Sequence, residues 1–477
     1  MSATAVTGSI PQQATPLAGA QPLPVYILYA LFALGFVIYI PVALFRSTIF
    51  LLLQDALLLL ALLSTLGAPK GDRRAFGGDG LVVLFVLLYC ASVLPAVAQD
   101  DPLAISSTIQ ALRSLLFGVI VLYLSSIWLT TQQRAETLIR IFVAGSIFAV
   151  FYGMRQLVFG LLPFELERLS TMGAGLSEID RGRTRIPSAF GDPATFSFVM
   201  MMGAHLFLYV RARNLMPLLS RLWYLVLPLL LLGLGITLTR APMLGLAVAA
   251  SCVIATSSRL SVNLILKWLA AALGLVALVL VLDQIVSSGV LAQSDAPWAR
   301  SLDNVLQAVW TLIPAFVTGE VTEQLDRLRS VSADSRLDSW AEGLRFLFRH
   351  PFGGGPGAVT ENTAGTLQFA PIDVGILRYA LELGWAGFIG LVGIWFAVLW
   401  AGLRKHLHVA DPHTRVLGRY LLALWLGIGV AQAISSYLHT EMLSIMVWSF
   451  GGILLNLDRI SNRQASVFGV RTAGAAS

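Results

Sequence analysis

Runs of about twenty residues with almost no charge recur along this chain, and they leave it few ways to fold. A helix crosses a bilayer core with about 20 consecutive apolar residues, because each backbone N–H and C=O must find its partner inside the segment. By that measure twelve spans are expected, centred near residues 35, 58, 88, 121, 147, 203, 231, 249, 273, 391, 426 and 448. The runs are continuous, so the alternation of a membrane β-barrel is absent. Composition agrees: 57% of the chain is hydrophobic and 12% charged, with mean hydropathy +0.78, outside the range of soluble domains. The expected fold class is an all-α polytopic membrane protein. Its largest polar interruption lies between spans nine and ten.

Lys and Arg set the orientation, since basic residues stay on the cytoplasmic side. They cluster in the even connections: Lys70, Arg73 and Arg74; Arg134 and Arg140; Arg211, Arg213 and Arg221; Arg259; and Arg404, Lys405 and Arg415. The tail adds Arg459, Arg463 and Arg471. Both termini are therefore expected in the cytoplasm. Residues 1–24, uncharged and rich in Ala, Gln, Pro and Thr, read as a disordered lead-in without the basic start of a signal peptide. Residues 25–283 hold spans one to nine, 284–373 a large extracytoplasmic loop with amphipathic helices, 374–457 spans ten to twelve, and 458–477 a cytoplasmic tail. Topology accounts for the pI near 9.5, and no basic patch with interleaved aromatics suggests nucleic acid. Cys90 and Cys252 both fall inside spans, which leaves no external disulfide or cysteine metal site to propose.

Two outer segments break the charge rule. The stretch from Phe164 to Asp192 carries Glu165, Glu167, Arg168, Glu178, Asp180, Arg181, Arg183 and Arg185. Either the arginines pair with neighbouring carboxylates to fold the loop, or they await an external anion. Asp192-Pro193 suits a helix start, with Asp as cap and Pro in the first turn. The second is Arg240, in the tight junction Thr237-Leu-Thr-Arg240-Ala-Pro242. A lone arginine costs about 2.5–3.5 kcal/mol at mid-bilayer and less near the interface. It either snorkels to headgroups or is positioned for a ligand.

The large loop contains a readable helix. Ser335 to Asp338 fits a capping box, and Leu337, Trp340, Leu344, Leu347 and Phe348 then share one face. Asp338, Glu342, Arg345 and Arg349 lie on the other, and His350-Pro351 ends the helix before a glycine-rich turn. Such a helix is able to lie on the membrane or on the bundle. Trp340 reads as packing and His350 as a helix-end residue. Arg336 sits in the first turn, where free amides and the helix dipole favour anions. A diphosphate held by Arg336 and Arg240 together would receive charge-assisted, bidentate contacts.

Three segments in this order resemble the O-antigen ligase and Wzy-type polysaccharide polymerase superfamily. They are Arg185-Ile-Pro-Ser-Ala-Phe-Gly-Asp-Pro-Ala194, Leu238-Thr-Arg240-Ala-Pro-Met-Leu-Gly-Leu246, and Ser335-Arg336-Leu-Asp-Ser-Trp340 through His350-Pro-Phe-Gly-Gly-Gly-Pro-Gly357 to Asp373 and Gly387. The resemblance covers roughly residues 180 to 400. It implies a GT-C-type glycosyltransferase of the bacterial inner membrane, acting outside the cytoplasmic face. The donor would be an oligosaccharide on undecaprenyl diphosphate, and an acceptor hydroxyl would attack its anomeric carbon. Arg240 and Arg336, supported by Arg185, would then stabilise the leaving diphosphate. Arg183, Arg345, Arg349 and Glu382 are further substrate-contact candidates, with Glu382 expected to pair inside the bundle with Arg378 one turn earlier. No cofactor is implied and the chemistry demands no metal, although an ion at Asp373 stays open. A chain-length regulator is a candidate partner.

One departure from the family pattern bears on the reaction. Where ligases of this family carry a histidine after the glycine turn, this chain has Asp373, a poorer proton acceptor at its reference pKa near 3.9. Asp373 acts as the base, orients a sugar hydroxyl or caps the next helix. The change favours polymerisation of exopolysaccharide, capsule or O-antigen repeats over ligation to lipid A-core. A flippase of the same lipid-linked sugars would place ionisable groups within its spans. Asp55 and Arg113 are the clearest such cases, too few for a pathway.

Overall fold

A computed structural model describes residues 21–45, 49–66, 116–171, 186–237, 239–256, 341–354, 375–434 and 440–467. Among them every regular element is helical. The chain runs through α1 (Leu23–Leu34), α2 (Tyr39–Phe45), α3 (Ile49–Leu66), α4 (Leu116–Trp128), α5 (Gln132–Phe159) and α6 (Pro163–Thr171). A short 3-10 turn (Ser188–Phe190) leads to α7 (Pro193–Ala212), α8 (Pro217–Arg221), α9 (Trp223–Gly235) and α10 (Arg240–Thr256). Then come α11 (341–349), α12 (Gly375–His408), α13 (Pro412–Ile434), α14 (Glu441–Leu454) and α15 (Leu457–Val467).

Among the described residues four helices are long and apolar enough to cross a membrane: α5, α7, α12 and α13. Helices α14 and α15, which bend by 56° at their junction, make a fifth when the pair is counted as one span. The helices α1, α3, α4, α9 and α10 are apolar but shorter. The described residues thus form a helical membrane protein of four or five full-length spans, with helix at or beside ten of the twelve expected centres. The centres near 88 and 273 lie outside the described residues, as do Cys90, Arg113 and most of the lead-in and the large loop.

In a bilayer the hydrophobic effect does not press helices together, so close packing must. Phe32, Phe142 and Phe450 meet edge to face, with ring centroids 5.4–5.8 Å apart, and join α1, α5 and α14. Trp395 stacks on Trp425 at 3.9 Å, and Trp448 closes edge-on at 5.7 Å from Trp425. The tightest crossing is α10 on α13. A Cβ on Gly245 would lie 2.6 Å from the Gly427 carbonyl oxygen, and Ala249 and Ala431 occupy the next turn of each helix. Small residues four apart on both helices let the two backbones touch.

The basic connections converge at one end of this bundle. Arg134 donates to Gln21 Oε1 at 2.7 Å and to the Trp128 carbonyl at 2.9 Å. Glu136 lies 3.8 Å from both Arg140 and Arg213, and Arg213 also meets His413. Lys405 pairs with Asp458 at 2.9 Å, and Arg463 donates to Thr130 at 2.9 Å. Connections far apart in sequence thus share an end with residue 21 and with α15, as the charge pattern requires.

Candidate functional site

The described parts of the three motif segments lie at the opposite end. The helices α7 and α12 finish at the basic end with Arg213 and Lys405, so both begin at the far end. The helix α9 leaves the basic end, where Arg211 stacks over Trp223 at 3.7 Å, and α10 therefore also starts at the far end. Each motif thus precedes or meets the far-end half of a helix, and α5 delivers its C-terminus to the same end.

The segment after Arg185 is locked in place. Ser188 holds a left-handed φ of 54°, and its amide donates to Gln156 Oε1 at 2.7 Å while its carbonyl accepts from Gln156 Nε2 at 3.1 Å. Its hydroxyl reaches the Ala149 carbonyl at 2.5 Å. Phe190 is buried against Phe36 and Phe196. Gly191 takes φ 69°, a conformation that suits glycine, and turns the chain into α7. Asp192 caps α7 by accepting from Ala194 at 3.1 Å and Thr195 at 2.8 Å, and Pro193 follows in the first turn, as the sequence predicts.

Beside this turn lies a polar cluster. Glu165 on α6 accepts from Tyr152 at 2.6 Å, from Gln156 at 3.0 Å and from the Leu162 amide at 2.6 Å, and it pairs with Arg155. Burial by itself pushes the Glu165 carboxyl up. The bonds from Tyr152, the Leu162 amide, Arg155 and Gln156 outweigh burial and hold it below its ordinary value. The cluster walls a small open recess of about 30 Å³, to which Tyr39, Ile40 and Ser188 also contribute. Arg155, Tyr152 and Gln156 were not singled out from sequence. Their spacing of three and four residues at the end of span five was the available signal.

The large-loop helix rests on the bundle through Leu347, one residue of its expected apolar face, while Leu344 and Phe348 of that face stay exposed. Gly343 and Leu347 are buried against Leu377 and Leu381, whereas Phe348 is 76% exposed and Leu344 also faces outward. The reason is close approach: Gly343 leaves room for Leu377, and a Cβ there would lie 2.8 Å from it. Arg345 and Arg349 are exposed, as expected. His350 ends the helix, with its ring 4.5 Å from that of Phe346.

The glycine turn then docks into a break in α12. Gly384 has φ 67° and ψ −173° inside that helix, which strips Leu381 and Trp385 of their helical partners. The turn restores them: Gly354 donates to the Leu381 carbonyl at 2.8 Å, and Trp385 donates to the Pro351 carbonyl at 3.0 Å. Gly353, with φ 77°, comes so close that a Cβ would sit 2.5 Å from the Gly384 nitrogen. One half-turn away the buried Glu382 accepts from Arg378 at 3.0 Å, the pairing expected from their spacing.

Arg240 begins α10, and Thr239 before it is buried. Arg183, Arg185, Arg336, Trp340 and Asp373 lie outside the described residues, together with Arg181 and the capping box at Ser335. Among the described residues no three His, Cys, Asp or Glu side chains converge to hold a metal. In comparison with known proteins, the chain matches neither a protein-family model nor a curated protein sequence.

Proposed function

We propose that this protein is a glycosyltransferase that polymerises a bacterial surface polysaccharide outside the cytoplasmic membrane. It would take glycan from an undecaprenyl-diphosphate donor and pass it to an acceptor sugar hydroxyl. What supports the reading is the common end shared by the described parts of the three motif segments, opposite the basic end, with Ser188 and the turn at 351–354 fixed by hydrogen bonds to the bundle. A lipid-linked donor enters from the membrane with its sugars outside, so its diphosphate belongs at that interface. Twelve spans with both termini in the cytoplasm fit the same orientation.

In this reading Arg240 and Arg336, with Arg185 in support, neutralise the charge that grows on the leaving diphosphate. The acceptor hydroxyl loses its proton to Asp373 as it attacks the anomeric carbon. Arg183, Arg345, Arg349 and Glu382 contribute to holding the sugars, Glu382 by fixing Arg378. The glycine turn ties residues 351–354 of the large loop to α12.

The test measures polymer and the lipid-linked repeat pool in cells carrying Arg336→Ala or Arg240→Ala, with membrane insertion verified. Loss of polymer with single repeats accumulating on the outer face is the expected result. Repeats accumulating on the cytoplasmic face would make the protein a flippase, and unchanged polymer would remove these arginines from the site. Transfer of preassembled glycan to lipid A-core, with polymer length unaltered, would instead identify a ligase.

A further inference from the structure

The basic end of the bundle holds cations that its acids do not neutralise. The acids described there are Glu136, Asp411 and Asp458. Glu136 is shared by Arg140, Arg213, Tyr209 and Gln132, Asp411 caps Thr414, and Asp458 takes Lys405. None of them reaches Arg415 or Arg419, which lie one turn apart on α13. Arg415 donates to the Val409 carbonyl, at 2.8 and 3.2 Å, and no acid among the described residues pairs with its charge. Arg419 Nε is buried without a hydrogen-bond partner among the described residues.

His406 on α12 stands within electrostatic reach of both arginines, and its Nδ1 is likewise buried and unpartnered. Like charges one turn apart repel, and a buried donor without an acceptor costs free energy. An oxyanion between the two helices would relieve both. The same two turns of α12 present Trp400, Leu403 and Leu407 outward, exposed by 67%, 40% and 71%. An apolar face beside a cationic cluster suits an amphiphile, and Trp400 is of the residue type that favours membrane interfaces.

We propose that His406, Arg415 and Arg419 form a binding site for the phosphate group of an anionic phospholipid at the basic end of the bundle. This site is separate from the far-end motifs and independent of the reaction proposed for them.

The test uses the full-length protein in detergent, with bound lipid quantified by native mass spectrometry after incubation with phosphatidylglycerol or phosphatidylethanolamine. Each Lys or Arg near a surface strengthens anionic-lipid binding about fivefold, so Arg415→Gln with Arg419→Gln should lower retained phosphatidylglycerol by about 25-fold. The exposed Arg404→Gln variant on the same end removes a single surface charge and should lower retention by no more than about fivefold. If the double variant does not purify as a folded species, Arg419→Lys keeps the charge but loses the Nε donor, and should release the lipid at lower salt. Inorganic phosphate is the second arm: if millimolar phosphate displaces the lipid from wild type and not from Arg419→Gln, the anion site stands with a soluble source. Equal retention of the two lipids by wild type overturns the proposal. So does full retention of phosphatidylglycerol by the double variant, or an unchanged salt profile in Arg419→Lys.

Discussion

Replacing Gly384 with alanine should release the external glycine turn from α12. At φ 67° and ψ −173° the residue occupies a region that is essentially glycine's alone, and an L side chain there costs about 1–3 kcal/mol. The new Cβ would fall inside contact distance of the Pro351 carbonyl oxygen and the Phe352 backbone, which cannot rotate aside as a side chain would. The turn must withdraw, and with it go the Gly354–Leu381 and Trp385–Pro351 bonds, each worth a net of about 0.5–1.5 kcal/mol. The strain raises the docked state by about 1–3 kcal/mol, about a 5- to 150-fold shift from docked to undocked turn, which the two hydrogen bonds oppose. Hydrogen exchange read by mass spectrometry in detergent should show faster exchange at residues 350–354. If α12 straightens through position 384, the Trp385 amide regains the Leu381 carbonyl and stays protected while Gly354 does not. Gly393→Ala is the control, because no atom lies within 4 Å of its Cβ position. Unchanged exchange at Gly354 in Gly384→Ala would refute the docking argument.

Glu165→Gln should destabilise the protein by about 1–3 kcal/mol at neutral pH, since it leaves Arg155 without its charge partner. The folded carboxyl is held low, so its contribution is present above the ordinary carboxyl value of 4.5 and is lost as pH falls through the folded value. Melting curves between pH 3 and pH 7 should therefore show an acid loss of stability in wild type that is smaller in the variant. Removing one partner of the buried pair, as in Glu382→Gln, should cost about 3–5 kcal/mol, whereas Arg378→Met with Glu382→Leu should cost less than either single change. A double-mutant cycle on thermal stability reads this, and additive losses would contradict it. Gly427→Leu should force α10 off α13 and cost about 3 kcal/mol or more, seen as lost monodisperse protein on gel filtration, while Gly393→Leu should be tolerated.

Much of the far end was legible because its signals are local. Asp192-Pro193 announced a capped helix start, and Arg378 four residues before Glu382 announced an ion pair on one helix face. Helical periodicity alone picked out Leu347, which is buried, without separating it from Leu344 and Phe348, which are exposed. Large apolar residues at Leu344 and Phe348 matched one face, but the bundle accepts the face that carries Gly343, where backbones come closest. Arg155 was overlooked because its partner Glu165 stands beyond the helix end.

By itself the sequence determined the class of fold. Continuous apolar runs have no alternative to helices in a bilayer, and the placement of Lys and Arg dictated which connections share an end. Only the tertiary structure decided that the turn at 351–354 plugs a break at Gly384, that Gly245 and Gly427 let two helices touch, and that no acid among the described residues pairs with Arg415 or Arg419. Periodicity and charge counts describe each segment against an averaged solvent. Which segment supplies the missing hydrogen bond or counter-charge depends on contacts between residues distant in the chain, and no local pattern encodes those.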